Sequence, residues 1–287
     1  MELTAFLRML EFAPTRKIPL SGSWFLLIQV KRKSNTKGAA VAAPHIRIKY
    51  EKFMAVACSH GKYADPSAIQ AVLSTRDKWK PKIVVHLGDW CDTTAFRSGA
   101  AGTSDESEPV APDIDGGLAF LKQYRPTHVL DGNHEDRIPR LLNSRNAIVA
   151  YAANQATFHI EETFAKIGCR RIPYDGVFQR YVVGDVTFTH GTLYNENAAR
   201  DMAEVYGGKV IFGHTHRSQI GEGRTIKEST GYCAGTLTSR GEMDYAKCRR
   251  ATLGWRQGLV YGEIGPKDSV VWLLTRGEFN AEWRLPL

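Results

Sequence analysis

Long hydrophobic runs are absent from this chain of 287 residues. The apolar stretch near its start, Trp24 to Ile28, has five residues, whereas a membrane-spanning helix needs about 20. The basic cluster 31–33 follows this stretch instead of preceding it, so a secretory signal is not expected either. Cysteine is also scarce, with five scattered residues that do not form a disulfide framework in a chain this long. We therefore expect no membrane span and a reducing, cytoplasmic environment.

Acidic residues are rare in the first part of the chain. Residues 1 to 53 contain ten basic and three acidic side chains and thus carry +7 of the formal net charge of +8. Such a basic arm could bind a nucleic-acid phosphate backbone, and it could equally be a solvated extension. We expect residues 1–50 to be a peripheral extension and residues 51–287 to form the functional domain.

From residue 53 onward, short apolar runs alternate with helix-like stretches. The runs are Met54 to Ala57, Lys82 to Leu87, Thr127 to Leu130, Val186 to Thr189 and Lys209 to Phe212, with helical patterns at Pro66 to Lys78, Gly117 to Tyr124 and Glu196 to Tyr206. This alternation predicts an α/β fold with a mixed or largely parallel sheet. In such folds, ligands bind beyond the carboxyl ends of the strands.

Two segments depart from this rhythm, and the C-terminal part adds further strand-like runs. Residues 98–117 are rich in small, acidic, Gly and Pro residues, which predicts a flexible surface loop. Residues 137–172 are predicted to be helical and to form a cap beside the site. Three strand-like runs, 259–264, 270–275 and 281–285, predict a second sheet packed on the first.

The ends of the five predicted strands carry an unusual concentration of polar chemistry. The motifs are Cys58-Ser-His60, Gly88-Asp89-Trp-Cys-Asp92, Gly132-Asn133-His134-Glu135, His190-Gly191 and Gly213-His214-Thr-His216. Imidazole, carboxylate and thiolate groups bind borderline divalent metals. Glycines beside them let the backbone turn sharply. The motifs therefore predict a polynuclear metal site.

In order and spacing, these motifs resemble those of the calcineurin-like metallophosphoesterases. That family's pattern is D-x-H, G-D-x-x-D, G-N-H-[ED], a His usually followed by Gly, and G-H-x-H, and the likeness covers residues 54 to about 216. The resemblance implies an α/β fold of two packed mixed sheets flanked by helices. It also implies two divalent metal ions, with Mn, Zn, Fe and Ni as the candidates.

The resemblance also implies a ligand set for each ion. One metal would be bound by Cys58, His60, Asp89 and His216, and the other by Asp89, Asn133, His190 and His214, with Asp89 bridging the two. Two ions about 3.5–4 Å apart would clamp the phosphoryl oxygens and lower the pKa of a shared water, so that hydroxide forms at neutral pH.

Cys58 departs from the family pattern, which has Asp at this position. A cysteine phosphatase needs an arginine six residues after its nucleophile, and this chain has Ala64 there, so a nucleophilic role is excluded. A thiolate can replace a carboxylate as a metal ligand. Free cysteine is also a common small core residue, so both roles remain open for Cys58.

The resemblance assigns the proton transfer to two further residues. His134 would be the general acid that protonates the leaving oxygen, and Asp92 would orient its imidazole. Arg137 and Arg217 could bind the non-bridging oxygens of the substrate, or they could simply be solvated. Tyr194 could line the substrate pocket.

Together these features imply a metal-dependent hydrolase of phosphoester bonds. A phosphodiester, in nucleic acid or nucleotides, is favoured by the basic arm and by a Cys-x-His-Gly motif similar to that of RNA lariat debranching enzymes. A phosphomonoesterase or a nucleotide-pyrophosphate hydrolase fits the same site. The segment 190–217 also resembles small phage and prophage metallophosphoesterases.

A rival interpretation from another class is a catalytically silent binding module whose first metal site has decayed at Cys58. The retained His60, Asp92 and His134 argue against it, because binding alone needs no general acid. Neither the native metals nor the oligomeric state follows from the sequence.

Overall fold

The computed structural model describes residues 49–239, 243 and 250–276 of the chain. The predicted peripheral arm, residues 1–50, lies almost entirely outside the described residues, and so does the strand-like run 281–285. No helix among the described residues is long and apolar enough to cross a membrane.

Two mixed sheets form the centre of the described fold. In the first, β1 (Glu51–Val56), β2 (Ile83–His86), β3 (His128–Leu130) and β4 (Arg170–Ile172) run parallel, and β10 (Gly258–Ile264) and β11 (Ser269–Thr275) continue the sheet antiparallel beyond β1. In the second, β6 (Val186–Phe188), β7 (Gly208–Phe212) and β9 (Ser229–Ala234) run parallel, flanked by antiparallel β5 (Tyr181–Val183) and β8 (Ser218–Glu222).

Five α-helices accompany the sheets in the described part of the chain. They are α1 (Pro66–Trp79), α2 (Val110–Tyr124), α3 (Arg137–Leu141), α4 (Ala147–Ile167) and α5 (Ala198–Tyr206). Local signals set their ends: the Asp65 side chain accepts hydrogen bonds from the first turn of α1, and Gly168 ends α4 in the left-handed conformation.

The main core lies between the two sheets. Alternate residues of β1 point to opposite faces, so Phe53 packs edge-on against Phe188 of the second sheet, with ring centroids 5.5 Å apart. Met54, its neighbour, faces α1 and α2. Helix α5 covers the outer face of the second sheet through residues such as Met202. The layers therefore follow the order helix, sheet, sheet, helix. This order confirms the predicted α/β fold of two packed mixed sheets flanked by helices.

The predicted location of the second sheet was wrong. The runs 259–264 and 270–275 are strands, but they form a hairpin that pairs with β1 and so extends the first sheet. The second sheet is instead built from strands within residues 181–234. Sequence periodicity identifies a strand but not its partner, because pairing depends on tertiary contacts.

Residues 98–117 were predicted to form a loop, and this prediction was wrong for the second half of the segment. Helix α2 begins at Val110 and buries Ile114 and Leu118. Pro112 lies in its first turn, where a missing N–H costs little. The predicted helical cap at 137–172 was correct for α3 and α4 but wrong at its end, since Arg170–Ile172 forms strand β4 beside β3.

Candidate metal centre

The polar motifs meet because the strands that precede them are neighbours. Cys58 and His60 follow β1, while Asp89 and Asp92 follow β2. The two loops run side by side beyond the sheet, with Cys58 N donating to Gly88 O and His60 N donating to Asp89 O, both at 2.9 Å. The loops after β3, β6 and β7 bring the remaining motifs to the same place.

The backbone around these residues is strained. Eight described residues other than glycine have positive φ, and five of them are predicted metal ligands: Cys58, His60, Asp89, His214 and His216. Such conformations cost about 1–3 kcal/mol each and cluster at functional sites. The strain therefore marks this loop cluster independently of the sequence motifs.

One group of donors consists of Cys58, His60, Asp89 and His216. Their candidate ligand atoms all lie within 4.8 Å of one another, and all four residues are buried. The Nε2 atoms of His60 and His216 approach to 2.9 Å. Two imidazole nitrogens and a thiol sulfur converge here on one carboxylate.

A second group shares that carboxylate. Asp89, His190 and His214 form another compact set within the same limit, and the Asn133 side-chain oxygen lies 3.2 Å from His190 Nε2. Asp89 Oδ2 is 3.3 Å from His190 Nε2 and 3.9 Å from His60 Nε2. The structure thus brings all seven predicted ligands together and puts Asp89 between the two groups.

The donor chemistry fits divalent cations. Burial lowers the pKa of His216 well below its ordinary value and that of His214 to about 4, so both rings are neutral and have a lone pair to donate. His216 Nδ1 is buried without a hydrogen-bond partner among the described residues. Burial, with a contribution from Asp89, raises the pKa of the Cys58 thiol. A cation bound beside that thiol would favour its ionised form.

The predicted acid and its orienting residue are in contact. His134 Nδ1 lies 2.6 Å from the main-chain oxygen of Asp92, and a carbonyl oxygen can only accept, so Nδ1 carries the proton. Nε2 then faces the centre, 3.9 Å from Asp89 Oδ2. Although burial opposes the charged ring, Asp89 and Asp92 outweigh it and raise the pKa of His134 to about 9. Before any cation binds, His134 is therefore protonated at neutral pH.

The Asp92 carboxylate contacts two imidazole rings. Its Oδ1 is 2.8 Å from His60 Nδ1 and 3.1 Å from His134 Nδ1. A carboxylate that accepts from the Nδ1 of His60 fixes its tautomer and leaves Nε2 free to bind a metal. Asp92 therefore orients a candidate ligand as well as the candidate acid, and the sequence predicted only the second of these roles.

Glu135, the last residue of its motif, has a structural role that the sequence did not predict. Its buried carboxylate accepts from the backbone N–H groups of Asp89, Cys91 and Gly132 at 2.6–2.9 Å. A Cβ on Gly132 would lie 2.0 Å from Asp89 Oδ1, which explains the glycine in that motif. Burial raises the pKa of Glu135 to about 7. The sequence feature that could have indicated a role for Glu135 is its position inside the motif Gly132-Asn133-His134-Glu135.

Asp113 was also not predicted to contribute to the site, because it lies in the segment 98–117 that was predicted to be a loop. Its carboxylate, on α2, accepts from the backbone N–H of Asp92 at 2.9 Å and of Thr93 at 2.6 Å. Thr93 in turn donates to the main-chain oxygen of His134 at 2.7 Å. Asp113 is thus linked through two residues to the candidate acid, and no sequence motif marked it.

Gln179 connects the two sheets behind the metal centre. Its side-chain nitrogen donates to Asp131 O at 2.6 Å, and its side-chain oxygen accepts from His190 N at 3.0 Å. Asp131 follows β3 and His190 follows β6. This buried glutamine therefore sets the distance between donors that come from different sheets, and its sequence context carried no signal for that role.

The three predicted substrate contacts lie at the edges of the motif loops. Arg137 donates to the main-chain oxygens of Asp92 and Thr93 at 2.7 and 3.3 Å. Arg217 donates to the main-chain oxygens of Tyr194 and Asn195 at 2.5 and 2.9 Å, and the Tyr194 side chain is 79% exposed. Both guanidinium groups therefore brace loops, whereas their contact with substrate remains a prediction.

This chain is similar to one known protein family and to two phage proteins. The family model described as calcineurin-like phosphoesterase matches residues 51–218. The chain is similar to the "Gene 54 protein" of Mycobacterium phage D29, with 28% identity over 216 residues that cover 68% of this chain and 82% of that protein. The corresponding protein of Mycobacterium phage L5 is 27% identical over 218 residues, covering 69% and 83%.

Among solved structures, a single mutant of Vps29 from Entamoeba histolytica aligns with 81% of this chain and 96% of its own. The identity is 11% and the TM-score 0.43, so the fold assignment depends on the strand order described above. The family model spans more than half of the chain and includes all five motifs. This chain therefore belongs to the calcineurin-like phosphoesterase family and is a metallophosphoesterase.

Proposed function

We propose that this chain hydrolyses a phosphodiester, in nucleic acid or nucleotides, at a centre of two divalent metal ions. The supporting observation is the position of Asp89, whose Oδ2 lies within 3.3–3.9 Å of imidazole nitrogens from both donor groups. Cys58, His60, Asp89 and His216 would bind one ion. Asp89, Asn133, His190 and His214 would bind the other.

The chain's own residues supply orientation and the proton. When bound, two divalent ions supply positive charge for the phosphoryl oxygens and lower the pKa of a bound water. A water oxygen forms a new bond to phosphorus and releases one proton to solvent as the bond to the leaving oxygen breaks. His134, held by the main-chain oxygen of Asp92 and facing the centre through Nε2, donates its proton to that oxygen.

The preference for a diester depends on the sequence rather than on the site. The basic arm of residues 1–53 and the Cys-x-His-Gly motif favour it, while the metal centre would serve a monoester or a nucleotide pyrophosphate equally well. The alternative of a catalytically silent module does not explain why buried Asp92 contacts both His60 and His134. A phosphate monoester, a phosphodiester and a dinucleoside pyrophosphate, each assayed with Mn²⁺, Zn²⁺, Fe²⁺ and Ni²⁺, separate these alternatives.

The two-metal arrangement is tested most directly by Asp89→Asn. Because Asp89 is shared, loss of its charge should weaken both ions, so that metal content falls well below two ions per chain and turnover collapses. Asp185→Asn is a matched control, since Asp185 precedes β6 at the end opposite His190 and pairs with Lys209. Full turnover of the wild-type chain after exhaustive chelation would refute the proposal.

A further inference from the structure

Helix α4 contains an unusually long uncharged segment for a helix on the surface. The thirteen residues from Ala147 to His159 include no Asp, Glu, Lys or Arg. Only one side of this segment faces the core, where Ala153 is buried and Ala156 is partly buried. An exposed helix normally has charged residues opposite its buried side, and here such residues are missing over more than three turns.

The outward side instead carries large apolar residues. Ile148 is 79% exposed, Tyr151 66% and Phe158 68%. With the exposed Gln155, these residues follow a spacing of three, four and three positions, which we call the α4 stripe. That spacing is the seam of a helix that packs against another helix. Depletion of charge together with aromatic residues is also typical of the centre of a protein interface.

We propose that the α4 stripe is the interface of a homodimer, in which it packs antiparallel against the α4 stripe of a second copy of this chain. A two-fold axis near residue 153 would put Ile148 of each copy opposite Phe158 of the other, and Tyr151 opposite Gln155. An isologous contact of this kind uses the same patch twice. No second protein is needed.

The charges at the two ends of the stripe favour the antiparallel orientation. Arg145 precedes α4, and Glu162 lies one turn beyond Phe158. Antiparallel packing around residue 153 brings Arg145 of one copy beside Glu162 of the other, at both ends of the interface. Parallel packing would instead put each arginine beside its own counterpart, and like charges at this position repel.

Other occupants fit the stripe less well. A nucleic acid is bound mainly through Lys and Arg side chains that contact phosphates, and the stripe has none between residues 147 and 159. An interfacial membrane helix carries Lys and Arg along its polar face, whereas the side of α4 opposite the stripe is buried in the protein core.

The available area predicts a weak dimer. Tyr and Phe each bury roughly 150–250 Å² when fully covered, and Tyr151 and Phe158 are about two-thirds exposed, so the four aromatic rings of two copies supply about 400–670 Å². A specific interface buries about 1,000 Å² in total. The area of Ile148 and of the alanines beside it would raise the total close to this value. We expect a dissociation constant in the micromolar range.

Sedimentation velocity of the full chain across the micromolar range tests the interface. The wild type should shift from monomer to dimer as concentration rises, and Phe158→Glu and Ile148→Glu should remain monomeric at every concentration. Phe178→Glu is a matched control, because Phe178 is 78% exposed but lies outside α4, and it should dimerise like the wild type. Unchanged thermal melting of each variant establishes that the fold is intact.

A charge exchange tests the orientation. Arg145→Glu and Glu162→Arg should each weaken the dimer about tenfold, and the double variant should restore it. Failure of the double variant to restore dimerisation overturns the antiparallel arrangement. A wild-type chain that stays monomeric overturns the proposal as a whole. If that monomer instead binds vesicles of phosphatidylcholine and phosphatidylglycerol and Phe158→Glu abolishes the binding, the stripe contacts lipid and the proposal is likewise wrong.

Discussion

At the scale of single residues, Cys58 is the position where chemistry and packing compete. Its sulfur belongs to the candidate donor group of His60, Asp89 and His216. The same side chain is fully buried and packs in the core between the two sheets. Cys58 also accepts a hydrogen bond from His214 N at 3.3 Å, so a change at this position affects a loop of the second donor group as well.

Substitution of Cys58 separates the two roles. Thiolate is softer than carboxylate and favours Zn²⁺ or Fe²⁺ over Mn²⁺, so Cys58→Asp should shift the metal of optimal activity toward Mn²⁺. Cys58→Ala should lose one of two ions, while the ion near His190 and His214 remains. The measurement is metal stoichiometry together with activity across Mn²⁺, Zn²⁺, Fe²⁺ and Ni²⁺. If Cys58→Ala keeps two ions and the wild-type rate, Cys58 is a packing residue.

His134 should act on the leaving group alone. His134→Ala should keep the metal content of the wild type and lower kcat by roughly 10²–10⁴-fold, the usual contribution of general acid catalysis. The loss should shrink for diesters with good leaving groups such as p-nitrophenol, because these need no proton. His159→Ala, in the exposed pair with Asp115, is the control. An equal loss on good and poor leaving groups would show that His134 is not the acid.

At the scale of elements, α2 supports the candidate acid through Asp113. Its carboxylate accepts two buried backbone N–H groups, and leaving such donors unpaired costs about 1–3 kcal/mol each. A Cβ on Gly61 would also lie 2.1 Å from Asp113 Oδ1, so the loop after β1 closes tightly on the same carboxylate. Helix α2 thereby fixes the loops that follow β1 and β2.

Removal of Asp113 should therefore reduce both stability and catalysis. Asp113→Ala should lower the free energy of unfolding by about 3 kcal/mol, which chemical denaturation measures. Because Asp92 and Thr93 position His134, the loss in kcat should be larger for poor leaving groups than for good ones. Asp113→Asn, which keeps one carbonyl acceptor, should recover part of each effect. If the role of Asp113 were purely structural, kcat would fall equally for substrates with poor and with good leaving groups.

The sequence predicted the strands that carry the motifs better than it predicted their arrangement. The strands ending near Cys58 and Asp89 are buried on both faces and therefore appear as continuous apolar runs. The partner of the hairpin at 258–275 could not be predicted, because β10 pairs with β1 across more than 200 residues of chain. The helical pattern at Gly117 to Tyr124 predicted the second half of α2, but its first half was missed because Gly, Pro and Asp are combined there with a helical apolar spacing.

The candidate site was predictable where residue type alone carries the chemistry. Histidines and acids beside glycines pointed to the donors that the structure groups together. Asp113 and Gln179 were not predictable, since a buried polar side chain that binds backbone groups has no sequence pattern of its own. Their role depends on contacts between residues that are 11 to 48 positions apart in the chain.

At the scale of the whole molecule, the charge of the chain is concentrated in one segment. Residues 1 to 53 carry +7 of the net charge of +8, while the metal donors begin at Cys58 and come from loops of the described fold. The predicted arm and the candidate centre are thus separate in sequence. If the arm binds phosphate groups of a nucleic acid, it should contribute affinity without contributing to the chemistry.

Deletion of residues 1–48 should therefore preserve the metal content and the turnover of a small diester. It should weaken binding of single-stranded DNA and RNA, and it should flatten the dependence of log K on log salt, because each lost phosphate contact removes about 0.7 from the slope. A variant with the basic cluster Lys31, Arg32 and Lys33 changed to Gln is the matched control, since it removes charge and keeps chain length. If the truncated chain fails to fold while the glutamine variant folds and loses affinity, the arm binds nucleic acid but its apolar run Trp24 to Val30 is part of the domain. If both variants bind with wild-type affinity and an unchanged salt slope, the arm is a solvated extension, and the charge argument for a nucleic-acid substrate is lost.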